Sequence, residues 1–146
     1  MSGMNREDLE GTAIEHCVES LVTEVHHKWA APRGWWNNLF TGEFLGCNYP
    51  AGERPTGSKA VGDQIALIHS EISEAYEGHR KNKMDEHCPE FTSFEVELAD
   101  AMIRILDAAG GLNLRLAEAF AAKMVYNHAR PDHRPENRRK ADGKKT

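Results

Sequence analysis

The stretch FEVELADAMIRILDAAG, Phe94 to Gly110, decides how this chain folds. Val96, Leu98, Ala99, Met102, Ile103, Ile105 and Leu106 leave only a narrow polar stripe, made of Glu97, Asp100, Arg104 and Asp107. A helix that is apolar over most of its circumference is buried rather than solvated. Glu97 and Asp100 are three residues apart and so share one face. Carboxylates on such a helix need protons, cationic partners or a metal, because an unpaired buried charge is costly. A second stretch, ALIHSEISEAYEGHRKN at Ala66 to Asn82, repeats the arrangement with Glu71 and Glu74. Two such helices packed face to face bring the two pairs together, a constellation that suits a hard divalent cation.

Upstream, Ile14, Val18, Leu21, Val22 and Val25 recur at spacings of three and four, which predicts a helix over residues 12–30. Pro32 and Gly34 stop it. The segment RGWWNNLFTGEFLGCNYPAGERPTGS, residues 33–58, has no period and reads as a long loop, of a length that is usually functional or mobile, with a short helix at 35–40. Ser58 is a suitable N-cap for a helix running to Lys83, with Val61, Ile65, Ile68, Ile72 and Tyr76 as its apolar stripe. Pro89 breaks the chain, and Thr92 or Ser93 caps the next helix, which stops at the Gly110–Gly111 pair. Asn113 opens a last helix that Pro131 ends, with Leu116, Phe120, Met124 and Val125 facing the core. Four helices with mostly short connections predict an all-α, four-helix-bundle domain over residues 1–131. Residues 132–146 are basic, contain proline and lack an apolar pattern, so a disordered, solubilising tail is expected there.

A chain of 146 residues suits one domain. A net charge of −5 argues against wholesale nucleic-acid binding. No apolar run approaches the ~18 residues of a membrane span, and the N-terminal residues lack the apolar core of a signal peptide. A cytoplasmic protein with no membrane partner is therefore expected. Cys17, Cys47 and Cys88 are too widely separated for a zinc knuckle or a disulfide framework and read as free thiols.

The order ExxE then ExxD, here Glu71, Glu74, Glu97 and Asp100, resembles the all-α nucleotide pyrophosphohydrolases of the MazG-like superfamily. The segment KMVYNHARP is similar to that family's downstream signature, with Lys123, Asn127 and Arg130 in the matching places. The resemblance covers residues 59–131 and the short GWW stretch at Gly34 to Trp36. It implies Mg2+, or Mn2+, held by Glu71, Glu74, Glu97 and Asp100, with more than one ion per site. It implies attack at the α-phosphorus of a nucleoside triphosphate, giving the monophosphate and pyrophosphate; spacing alone does not choose the phosphorus. Glu71, Glu74 and Lys123 are then the catalytic candidates, and Lys123, Asn127 and Arg130 the phosphate-side ones, with Lys59, Arg80 and Lys81 as looser candidates for the same role. Trp35 and Trp36 are candidate stacking platforms for the base. The phrasing HSEISEA and FEVELADA looks like the phage and bacterial members, including a dGTP-specific MazZ-like branch. That makes dGTP or GTP the first substrate expected, in a host cytoplasm if the gene is a phage's. Relatives work as dimers or dimers of dimers, so a homodimer or homotetramer is expected, hiding apolar surface that one bundle cannot bury.

Plainer readings stand beside these. A single Glu pair on a helix is usually a solvated face. Lys123 and Arg130 also suit a helix C-terminus for its dipole alone. The Trp pair reads equally as core or interface anchors, His69 as a packed histidine, and the His26–His27 pair lacks metal spacing. Within the enzyme class, house-cleaning of other or non-standard nucleotides such as dCTP analogues is the alternative task. Outside it, the chain would be a non-enzymatic helical interaction module with its basic tail touching nucleic acid.

Overall fold

A computed structural model of the chain describes residues 13–46 and 61–140. It is helical, with no strand among the described residues, so the all-α expectation holds. Helix α1 spans Ala13–Val22 and continues as a π-helical segment, Thr23–Ala30, and a 3-10 turn, Ala31–Arg33. Helices α2 (Val61–Lys81), α3 (Ser93–Gly111) and α4 (Leu116–Ala129) follow, then a 3-10 turn at Pro131–His133 and a four-residue α5 at Pro135–Arg138. The start of the expected unstructured tail thus carries helical turns. Lys59 and the expected cap Ser58 lie outside the described residues, as does Cys47. None of the described helices is long and apolar enough to cross a membrane.

One unit of the chain is Leu21–Leu114. Its frame is an antiparallel hairpin of α2 and α3, with the π-helical segment packed on α3. The hairpin turn is built locally. Asn82 takes a left-handed conformation with φ 49°, and Asp85 Oδ1 accepts from the backbone of His87 and Cys88. Thr92 then starts α3 with a full capping box: its hydroxyl accepts from Glu95 N, and Glu95 Oε2 accepts from Thr92 N at 2.8 Å.

The buried face of α2 inverts the expected pattern. Gln64, Glu71, Ala75 and Gly78 are its buried residues, whereas Ile65, Ile72 and Tyr76 of the anticipated core stripe are exposed. On α3, the buried residues include Ala101, Ala108 and Ala109, while Leu98, Met102, Ile103 and Ile105 are exposed. Small residues let the backbones approach, and that approach places Glu71 in the interface instead of the larger apolar groups.

The Gly110–Gly111 pair ends α3 as expected, Gly111 being the last helical residue. The pair also allows close approach. A Cβ on Gly110 would lie 2.2 Å from His26 Cγ, and one on Gly111 would lie 2.2 Å from Trp36 Cε2. These are seats for two rings from the preceding segment. Residues 35–40 form no helix. Asn38 N donates to Glu43 O at 2.8 Å and Leu45 N to Trp36 O at 2.6 Å, making a tight reversal closed by the Asn37–Phe44 bridge. Asn38 Oδ1 accepts from the Phe40 and Thr41 backbone, a local bond that competes successfully with a helical turn.

The described residues outside Leu21–Leu114 form a second unit, with its boundary inside α1. Helix α4 starts three residues later than expected, because Asn113 is left-handed (φ 49°) and cannot open it. Phe120 and Met124 are exposed rather than in a core, and Ala121 is the buried residue. The apolar side chains of LAEAFAAKMV are spread around the helix, so no single neighbouring surface covers them.

Candidate metal centre

Carboxylate oxygens of Glu71, Glu97 and Asp100 all lie within 4.8 Å of one another. The α2–α3 contact brings them together across the hairpin. Glu71 is buried, Glu97 half-buried and Asp100 open to solvent. Opposite ligands around magnesium at 2.0–2.1 Å are about 4.2 Å apart, so small side-chain rotations close this group onto one ion. The donor set is all oxygen, and it fits a hard cation.

The electrostatics agree. Loss of water raises the Glu97 carboxyl above its usual range, and the charges of Glu74, Glu71 and Asp100 push the same way. Asp100 is raised too, first by desolvation and then by Glu71, with Arg104 opposing. The group therefore carries more negative charge than it comfortably holds. One internal cation meets part of it: Arg104 Nε donates to Glu71 Oε1, with Glu71 8% and Arg104 33% exposed at the side chain. Glu74 sits one turn along α2, exposed, outside the converging trio although its charge reaches Glu97.

Beside the acids is a cavity of about 190 Å3 lined by Trp29, Trp35, Asp100, Ile103, Arg104 and Asp107. Trp29 and Trp35 have ring centroids 5.8 Å apart at 46°, so they form a corner rather than a slot. Arg33 lies over the Trp29 ring, 4.7 Å from its centroid. Trp35 is half-exposed; Trp36 is not. Trp36 is completely buried, with its Nε1 donating to Asp107 Oδ1 at 2.9 Å. A ring enclosed on all sides cannot stack a ligand, so its role is that of a core anchor. His26 is also buried, and its Nδ1 donates to the same Asp107 oxygen at 2.7 Å. A carboxylate acceptor assigns the proton to Nδ1.

Lys123, Asn127 and Arg130 belong to the other unit. Lys123 is exposed, with Nζ 4.5 Å from the centre of the Tyr126 ring, and Asn127 is half-buried. Arg130 is not helical: it caps α4 in an extended conformation and makes a two-point pair with Asp132. That pair satisfies Arg130 without a ligand.

Four residues of the Leu21–Leu114 unit had no assigned role from sequence: His26, Trp29, Arg104 and Asp107. Arg104 and Asp107 were visible as members of the polar stripe. His26 and Trp29 had no such signal, because the π-helical winding that aims them has no period to read. No protein-family model matches this chain, and no curated protein or solved structure matches it.

Proposed function

We propose that this chain is a metal-dependent nucleoside triphosphate pyrophosphohydrolase of the MazG-like kind, with dGTP or GTP as its first substrate. One observation carries the reading: Glu71, from one helix, meets Glu97 and Asp100, from another, with oxygens inside 4.8 Å. Desolvation and the neighbouring carboxylates raise Glu97 and Asp100 above their ordinary range, so a divalent cation would relieve the repulsion within the group. Glu71, Glu97 and Asp100 would hold Mg2+ or Mn2+, with Glu74 positioned to join a second ion. When bound, the metal supplies a water of lowered pKa and neutralises charge on the phosphates. Arg104 holds Glu71 in place. Trp35 offers a face to the base, and the roles of Lys123, Asn127 and Arg130 towards the phosphates rest on the resemblance alone.

The same reading includes a four-helix-bundle architecture and a homodimer or homotetramer. Its support is the exposure of Ile65, Ile72 and Tyr76 on α2 and of Leu98, Met102 and Ile105 on α3. Leu39 and Phe40, 87% and 98% exposed at the tip of their turn, add a further apolar projection. Such surface is what a two-fold partner covers.

The test is a magnesium and manganese titration with pyrophosphate release followed over a panel of ribo- and deoxynucleoside triphosphates. Metal-dependent release is expected, with Glu71→Gln retaining the helical circular-dichroism spectrum and losing most turnover. No pyrophosphate from any nucleotide at any metal concentration would overturn the proposal.

A further inference from the structure

The network around Asp107 does more than hold the core. Both described donors to this side chain, His26 Nδ1 and Trp36 Nε1, act on one oxygen, Oδ1. The rings that supply them sit on Gly110 and Gly111, where a Cβ has no room, so the carboxylate is fixed in orientation. The acceptor capacity of Oδ2 remains, on a residue that lines the cavity with Trp29 and Trp35. Asp107 is 13% exposed at the side chain, an edge seen from the cavity rather than a group in bulk water.

The cavity has the size of one ring system. Its ~190 Å3 falls short of the roughly 300–1,000 Å3 that encloses a drug-sized ligand. Its two ends differ. Asp100 belongs to the acidic trio, and Asp107 lies seven residues further along α3, about 10 Å by the helical rise. That separation leaves a sugar's width between a phosphate held at the trio and a base at the far end.

We infer that Asp107, oriented by His26 and Trp36, is the residue that reads the base, selecting an edge with two neighbouring N–H donors. The inference rests on the nucleotide reading of the site. With Oδ1 occupied, Oδ2 still carries two lone pairs, so it can accept from two adjacent N–H donors that converge on it, and it repels acceptors. Guanine offers N1–H beside N2–H2. Adenine and cytosine place an unprotonated ring nitrogen there, and uracil flanks its one N–H with carbonyl oxygens. Hypoxanthine keeps N1–H and loses the amino group, which makes it the informative analogue. His26 and Trp36 act through Asp107 as positioning residues.

The experiment has two arms. In the first, quenching of tryptophan fluorescence reports binding of deoxyguanosine, deoxyinosine and deoxyadenosine to the full chain in EDTA, where neither metal nor phosphate contributes. Deoxyguanosine should bind at least about tenfold more tightly than deoxyinosine, the loss of one charge-assisted hydrogen bond. Equal affinities would overturn the inference. In the second, kcat/KM for dGTP and dATP is compared between the natural chain and Asp107→Asn. The amide turns a donor towards the cavity, so the dGTP/dATP ratio should fall at least about tenfold. An unchanged ratio would overturn the inference while leaving the pyrophosphohydrolase reading intact. Conversely, base-selective nucleoside binding in a chain that hydrolyses nothing would remove that reading and keep Asp107 as the base reader. A uniform loss for all nucleotides in the variant, together with equal nucleoside affinities in the natural chain, would reduce Asp107 to a core anchor.

Discussion

Replacing Arg104 by methionine separates structural pairing from metal binding at the acidic trio. The substitution keeps a long apolar stem on α3 and removes the only cation seen hydrogen-bonded to Glu71 among the described residues. Breaking a buried ion pair by deleting one partner costs about 3–5 kcal/mol. Arg104 is one third exposed at its side chain, so solvent already screens the pair and about 2–3 kcal/mol is the better expectation. For a chain of this length that lowers Tm by roughly 6–9 °C in EDTA. Glu71→Gln should behave differently. It removes the buried charge itself, and Arg104 still has Asp100 nearby, so a loss of about 1 kcal/mol or less is expected. Magnesium then distinguishes the two. At a hundred times its Kd, an ion that binds only the folded state adds ~2.7 kcal/mol. The natural chain and Arg104→Met should both gain that stabilisation, the variant at lower magnesium because no internal cation competes. Glu71→Gln should gain little. Differential scanning fluorimetry across a magnesium series measures all three. Equal magnesium shifts in the natural chain and Glu71→Gln would refute the ligand role of Glu71.

Further outcomes follow from other parts of the molecule. Because the folded Glu97 carboxyl lies above its usual 4.5, the folded state binds more protons than the unfolded state just above that pH, and the ionised group opposes folding at higher pH. Glu97→Gln in EDTA should therefore be more stable than the natural chain at pH 7.5, with the gap closing towards pH 4.5; a gap that widens on acidification in urea titrations contradicts this. Gly110→Ala gains about 1 kcal/mol of helix propensity but drives a methyl to 2.2 Å from His26, so a net loss of about 1–2 kcal/mol is expected; a stabilised protein would mean that the close seat does not exist. Lys123→Ala should lower kcat/KM by about tenfold if the resemblance carries over to α4, and unaltered kinetics would remove Lys123 from the phosphate side. Sedimentation velocity at micromolar concentration should give at least twice the mass of one chain, and a fully active species with the mass of one chain would sink the oligomer.

Helix positions were legible because their signals are local. Thr92 announced the start of α3 and the acids of both motifs their shared faces. What sequence misjudged was direction. The apolar stripe of α2 was assigned to the core, yet Ala75 and Gly78 set the α2–α3 approach and turn Ile72 and Tyr76 outward. Volume decides such a contact, and hydrophobicity does not report it. The Gly110–Gly111 pair does end α3, as read, but its second role, the lack of a side chain beneath two rings, has no local signal. His26 and Trp29 were invisible for a related reason: their aim depends on the π-helical winding and on what α3 leaves open.

Helix α3 also works as a ruler. Glu97, Asp100, Arg104 and Asp107 mark off one edge of a rigid rod at steps of three, four and three residues, about 15 Å from first mark to last. A single residue inserted between Asp100 and Asp107 would swing the far mark by 100° and advance it 1.5 Å, turning its carboxylate away from the corner of indoles. Loops elsewhere in the chain can lengthen or shorten at little cost, but the spacing along this edge has no slack. A search for relatives should therefore weigh the interval between these four marks above overall identity, since substitutions are tolerated where changes of length are not.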